Sequence, residues 1–211
     1  SQIVATVCVV ALFRARNFAV GITFKKTEVI QAVCVGILVL GEGGSLLGLV
    51  AILIGLIGVL LLSDQPFGGA TGLSRFASRA TGLGILSGFL FAISAVFYRG
   101  ATLEVGFENA ILRASVTLLL VITMQMAVMT IWLYLCEPGQ LCAVWNARKT
   151  AIWVGLTSLG GSLGWFTAFT LQNAAYVKAV GQIELILSLA ASVLFFREKI
   201  TGRELGGLAF L

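Results

Sequence analysis

The chain contains no histidine, two prolines, nine acidic residues and only 11% charged side chains over 211 residues. Without histidine, a Ser-His-Asp triad, an H-E-x-x-H zinc site and any His general base are excluded. No metal-binding or cofactor-binding pattern is visible, and neither a metal nor a cofactor is expected. The shortage of charge says more. A soluble domain carries about 25% charged residues, so this chain has too little polar surface to cover itself in water. The four cysteines, Cys8, Cys34, Cys136 and Cys142, show no framework spacing. Cys8 and Cys34 lie in apolar runs and read as packing residues. Cys136 and Cys142 flank one loop and would pair only in an oxidising compartment. There is neither an initiator Met nor a signal peptide. Ser1 opens directly into an apolar run and Leu211 follows soon after another begins, so the chain reads as an internal piece of a longer protein.

What is present is apolar. The chain is 59% hydrophobic, with a mean hydropathy of +1.04. Gly43–Ser63, Ala80–Tyr98, Ala114–Cys136 and Thr150–Val177 are uncharged, and each reaches the roughly 18 residues that mark a membrane-spanning helix. Backbone polar groups in lipid must be satisfied within the segment, so helices are expected, and the polar alternation of barrel strands is missing. The patterning predicts helices at 2–13, 18–40, 45–63, 80–99, 108–135, 150–171 and 174–196, with a partial one from 202 to 211. The expected fold class is therefore all-α integral membrane, about seven full transmembrane helices plus a partial eighth. The +5 net charge sits singly or in pairs at the ends of apolar runs, as beside lipid headgroups. It is no nucleic-acid signal. Gly84–Gly88, Gly160–Gly164 and Gly202–Gly206 have the small-x-x-x-small spacing of closely packed helices.

Two copies of one segment are visible. With a constant shift of 156, Phe13–Ala51 aligns without gaps over Phe169–Gly207 and matches at eight of 39 positions. Among the matches are Asn17 with Asn173, Glu28 with Glu184 and Glu42 with Glu198. Two of them are Glu pairs, in a chain with nine acidic residues. A doubled hydrophobic unit with an acid in each copy is how many transporters are built. Five predicted helices separate equivalent elements, and an odd number inverts one copy relative to the other. The expectation is a ten-helix whole of two inverted five-helix halves. Its boundary is the Asp64-Gln65-Pro66-Phe67-Gly68-Gly69 loop.

Asn173-Ala174-Ala175-Tyr176, an apolar helix, and then Phe196-Arg197-Glu198-Lys199-Ile200-Thr201-Gly202 through Gly207 resemble the end of an EamA-type repeat of the drug/metabolite transporter superfamily. Leu40-Gly41-Glu42 is similar to the same point in the first copy. Glu108 to Arg113 resembles the opening of that repeat's second helix. The resemblance divides the chain into 1–63, the end of a first repeat; 64–79, an inter-repeat loop; and 80–211, a second repeat short of its last helix end. It implies an inner-membrane carrier with a central cavity, and its cargoes are diverse enough that no substrate follows. The first copy departs from the pattern at Lys25-Lys26 and at Gly43-Gly44.

On a continuous helix from Phe18, about 1.5 Å per residue puts Glu28 about 15 Å deep, half the apolar thickness. Counting from Ala174 does the same for Glu184. A carboxylate there costs at least about 2.5 kcal/mol against lipid, so both acids are expected inside, paired, protonated or hydrated. Lys25, Glu28 and Gln31 form one polar stripe, and Lys178 and Gln182 stand beside Glu184. Read functionally, Glu28, Glu184, Lys25, Gln31, Gln182 and Lys178 line a substrate path or carry coupling. Read structurally, Lys25–Glu28 is a self-neutralising pair while Lys26 and Lys178 snorkel outward. Glu42 and Glu198 lie at helix ends, where a cap or turn accounts for them.

The expected function is secondary transport of small polar or amphipathic metabolites by alternating access, in a lipid bilayer and without nucleic acid. Proton coupling and exchange against a counter-substrate both stay open, as does the oligomeric state. The alternatives are an integral-membrane enzyme using paired carboxylates, for which no motif brings both acids to one reacting centre, and a non-transporting scaffold.

Overall fold

The computed structural model describes residues 1–13, 24–62, 79–137 and 139–187, with 190, 194 and 207. Among them are eight helices: α1 (Gln2–Phe13), α2 (Glu28–Leu40), α3 (Leu46–Leu62), α4 (Arg79–Glu104), α5 (Ala110–Cys136), α6 (Gln140–Asn146), α7 (Arg148–Leu171) and α8 (Ala174–Gly181). The inter-repeat loop, Glu198 with the motif around it, the Gly202–Gly206 pair and the helix expected over 202–211 lie outside the described residues.

The expectation of seven or more spans is overturned. Among the described residues only α4 and α5, of 26 and 27 residues, are long and apolar enough to cross a membrane. The other apolar runs fail for separate physical reasons. Gly43 to Ser45 stay out of the helix, which leaves α3 with 17 residues. Thr150–Val177 is uncharged, but serines, threonines and glycines dilute α7, and Gln172-Asn173 interrupt the helix. Lack of charge is not hydropathy. The runs over 18–40 and 174–196 are broken. A helical turn at Phe24-Lys25 gives way to a turn at Lys26-Thr27 before α2, and α8 gives way to a turn at Gln182-Ile183 before Glu184–Leu187.

Both breaks have the same cause, a local shift from i→i−4 to i→i−3 hydrogen bonding. Thr27 N–H donates to the Phe24 carbonyl at 3.2 Å, and Ile183 N–H to the Val180 carbonyl at 3.0 Å. Under the shift of 156 these are one and the same bond. The Thr27 hydroxyl reinforces the first by donating to the Phe24 carbonyl at 2.7 Å, a side chain competing with the helix ladder. Leu185 and Ile186 continue the tight register of the second. Glu28 therefore opens α2 rather than sitting mid-helix.

The chain forms two compact units, Ser1–Phe97 with Asn173–Leu211, and Tyr98–Gln172. In the first, Val29 and Ala32 of α2, Ile52 of α3, Ala92 of α4 and Ala175 of α8 make the core. α2 ends at Gly41 (φ 65°), with Gly41 N–H bonded to the Ile37 carbonyl and Glu42 N–H to Gly36. This left-handed termination is strongly favoured by glycine. Asn173 caps α8 by accepting from Ala175 N–H at 2.9 Å, and its Nδ2 donates to the Glu42 carbonyl at 3.3 Å. The residues that carry the family resemblance, Leu40-Gly41-Glu42 and Asn173 onward, are thus a helix end and a helix start tied together.

In the second unit, Ala114, Leu118 and Phe166 pack with Tyr98. The Tyr98 and Phe166 rings are 4.7 Å apart. Arg99 donates to the carbonyls of Phe169 and Gln172, satisfying acceptors left open by the end of α7. Arg113 Nε donates to the Thr102 carbonyl at 2.8 Å.

Candidate functional site

The site lies in the first unit, where the two copies meet. Asn173 bonds Glu42 at one end, and Lys26 bonds Glu184 at the other. As residue numbers rise in one copy they fall in the other, so the two segments run antiparallel.

Each acid is paired with a lysine of the other copy. Lys178 Nζ lies 2.6 Å from Glu28 Oε1, and Lys26 Nζ lies 3.2 Å from Glu184 Oε1. The Lys178–Glu28 contact is an ion pair by distance, while its direction falls outside hydrogen-bond geometry. This corrects the expected Lys25–Glu28 pair and the outward Lys26 and Lys178. The lysines themselves are not equivalent. Under the repeat shift, Lys26 aligns with Gln182, and Lys178 with Ile22.

The two pairs differ in kind. Glu28 and Lys178 have side chains only 11% and 20% exposed, whereas Glu184 is 63% exposed beside a Lys26 that is 17% exposed. Breaking a buried pair by removing one partner costs about 3–5 kcal/mol; an exposed pair holds about 0.2–1 kcal/mol. Lys178–Glu28 is therefore a structural lock and Lys26–Glu184 an exchangeable contact. Glu184 is thus not enclosed as expected. A carboxylate so open needs a polar surrounding, since burial in an apolar one penalises its charge.

The remaining candidates surround these pairs. Lys25 Nζ stands 4.9 Å from the Phe91 ring centroid, which Lys178 also approaches at 6.0 Å. Gln31 Nε2 donates to Thr27 Oγ1, and Gln182 Nε2 donates to the Lys178 carbonyl. Those bonds fix both amides, leaving Gln31 Oε1 and Gln182 Oε1 buried with no hydrogen-bond partner among the described residues. Gly88 admits this crowding. A Cβ there would stand 3.0 Å from both Gln31 Oε1 and the Lys25 carbonyl. By contrast, Cβ atoms at Gly160 and Gly164 would meet nothing.

A cavity of about 390 Å³ adjoins the cluster, with Lys26, Gln182 and Tyr176 in an otherwise apolar wall from α2, α3 and α8. Tyr176, which its place beside a turn marks for interfacial anchoring or packing, and Gly48 shape it. The Tyr176 hydroxyl accepts from Ser45 N–H at 2.8 Å, and its ring lies against Gly44 and Gly48. Gly44–Gly48 has the same small-x-x-x-small spacing used elsewhere as a signal. It was legible as a close approach, but nothing in the spacing named Tyr176 as its partner. Among the described residues no three His, Cys, Asp or Glu side chains gather as metal ligands. All four cysteines are free, with Cys8 buried and Cys34 exposed rather than packed.

No protein-family model matches the chain, and no curated protein matches it.

Proposed function

We propose that this chain is a membrane transport protein for small polar or amphipathic metabolites, working by alternating access, and that it is of the EamA type its motifs resemble. The observation that carries this reading is the crossed pairing of Lys178–Glu28 and Lys26–Glu184, each acid one or two residues past a helix break found at the same place in both copies. Broken helices from antiparallel repeats, with charged groups and a cavity at the breaks, are the arrangement in which transporters bind solutes and rock between two states. The two helices long and apolar enough to cross a membrane support a membrane setting.

The test is reconstitution of the full chain in proteoliposomes with a panel of labelled metabolites. Glu28→Gln and Glu184→Gln should each slow transport roughly tenfold, equivalent to about 1.4 kcal/mol of barrier, while folded protein stays in the membrane. Wild-type rates in both variants would remove the acids from the mechanism. Chemical turnover of a lipid or peptide without net movement would replace transport with catalysis.

A further inference from the structure

The second unit carries a surface of its own at the connection between α5 and α7. Ala114 and Leu118, early in α5, pack with Phe166, late in α7, so the two helices run antiparallel and α6 lies across the end of their hairpin. At about 1.5 Å per residue the 27 residues of α5 reach about 40 Å, more than the roughly 30 Å of a hydrocarbon core. The side chains mark where the surplus falls. Trp132, Trp145 and Trp153, three of the chain's four tryptophans, are exposed at this end together with Tyr134. Trp132 lies about 6 Å before the end of α5 and Trp153 about 7.5 Å past the start of α7, so the hairpin holds both at one depth. Exposed Trp and Tyr at one level form the belt of a membrane–water interface.

α6 continues that belt. Leu141, Val144 and Trp145 have the i, i+3, i+4 spacing of one helix face, and all three are exposed. Arg148 and Lys149 follow at once and are exposed too. The Arg148 guanidinium lies 5.6 Å from the Trp145 ring centroid, and its Nη1 donates to the Trp145 carbonyl at 3.2 Å. One bond thus holds the side chain over the ring, and a guanidinium with five N–H donors keeps others for a phosphate. Lys149 places a second charge beside it. Over residues 137–153 these two bases face one acid, Glu137, on the other side of α6. A free phosphate would use the charges alone. An anionic lipid uses the charges and the apolar face together.

Resting on the membrane setting and not on transport, we infer that α6 lies in the bilayer interface and that Arg148 and Lys149 bind the headgroups of anionic phospholipids. Leu141, Val144 and Trp145 then sink among the upper parts of the acyl chains, and the Arg148–Trp145 contact aims the cation at the headgroup layer.

The test uses the full chain reconstituted in bilayers of phosphatidylglycerol and phosphatidylcholine. Trp132→Phe, Trp153→Phe and Trp165→Phe leave Trp145 as the reporter, and one lipid at a time carries bromine high on its acyl chains as a quencher. Both lipids should quench Trp145, with phosphatidylglycerol preferred at equal mole fraction. Arg148→Gln and Lys149→Gln should each lower that preference by up to about fivefold, and the double variant should bring it close to parity. Parity in the protein with both bases, or an unchanged preference in the double variant, would overturn headgroup binding. No quenching by either lipid would take α6 out of the interface. Millimolar glycerol phosphate should leave the preference intact, and its loss on that addition would make a free phosphate the ligand instead. Native mass spectrometry of the chain with all four tryptophans keeps the test independent of the reporter substitutions. It should retain more phosphatidylglycerol than phosphatidylcholine, an excess missing from the double variant; equal retention by both proteins would again sink the assignment.

Discussion

Glu28 and Glu184 align at the shift of 156, yet their surroundings give them different work. Glu28 is held by Lys178 out of water, so Lys178→Met should destabilise the protein by about 3–5 kcal/mol, measured by denaturant unfolding in detergent. Most of that loss should return in the double variant with Glu28→Gln, because the buried charge is then gone. Lys26→Met should cost no more than about 1 kcal/mol in the same assay, since its partner is exposed. Equal losses at the two lysines would refute the division into lock and exchangeable contact. Tyr176 supplies a further residue-scale check. A methyl group at Gly48 would collide with its ring, so Gly48→Ala should cost about 1–3 kcal/mol. Tyr176→Phe, which removes the acceptor for Ser45 N–H and the hydroxyl contact with Ser45 Oγ, should cost about 1 kcal/mol.

At the scale of elements, the matched breaks and the helix ends matter most. Composition gave a correct reading of α4 and α5, whose long apolar runs stay helical although Ser87, Thr102 and other hydroxyls bond back to the ladder, and of α1. It missed the breaks at Lys26-Thr27 and Gln182-Ile183 because periodicity continues through both and no proline marks them. What stops the ladder is a choice of acceptor, an i→i−3 bond in each copy, aided by the Thr27 hydroxyl in the first. It also missed α6, where a loop was expected between Glu137 and Lys149. Helix ends make a sharper test. Arg99 reaches two carbonyls at the end of α7, so Arg99→Met should cost about 1–3 kcal/mol by stranding them. Unfolding of the variant at wild-type denaturant concentration would show those carbonyls to be satisfied otherwise.

For the molecule as a whole, the membrane setting depends on α4 and α5. α5 shows its apolar side chains along almost its full length, and Met124, near its middle, is 69% exposed. Met124→Arg should raise the cost of inserting α5 by about 2.5–3.5 kcal/mol, read by glycosylation mapping of the segment in microsomes. Unchanged insertion would remove α5 from the bilayer interior. The wild-type chain should stay in the membrane pellet after an alkaline carbonate wash.

Composition alone determined that the chain is helical and apolar and that it holds no histidine, and a constant shift of 156 set Glu28 over Glu184. These depend on counts and spacings, which any conformation of the chain retains. Pairing was decided only by tertiary structure. Lys25 stands three residues before Glu28, the spacing of one helix face, but the antiparallel approach of the second segment brings Lys178 to Glu28 and Lys26 to Glu184, across 150 and 158 residues of chain. The same approach set Tyr176 against Gly48 and opened the cavity. Which side chains meet there depends on the register between distant segments, and no local pattern encodes it.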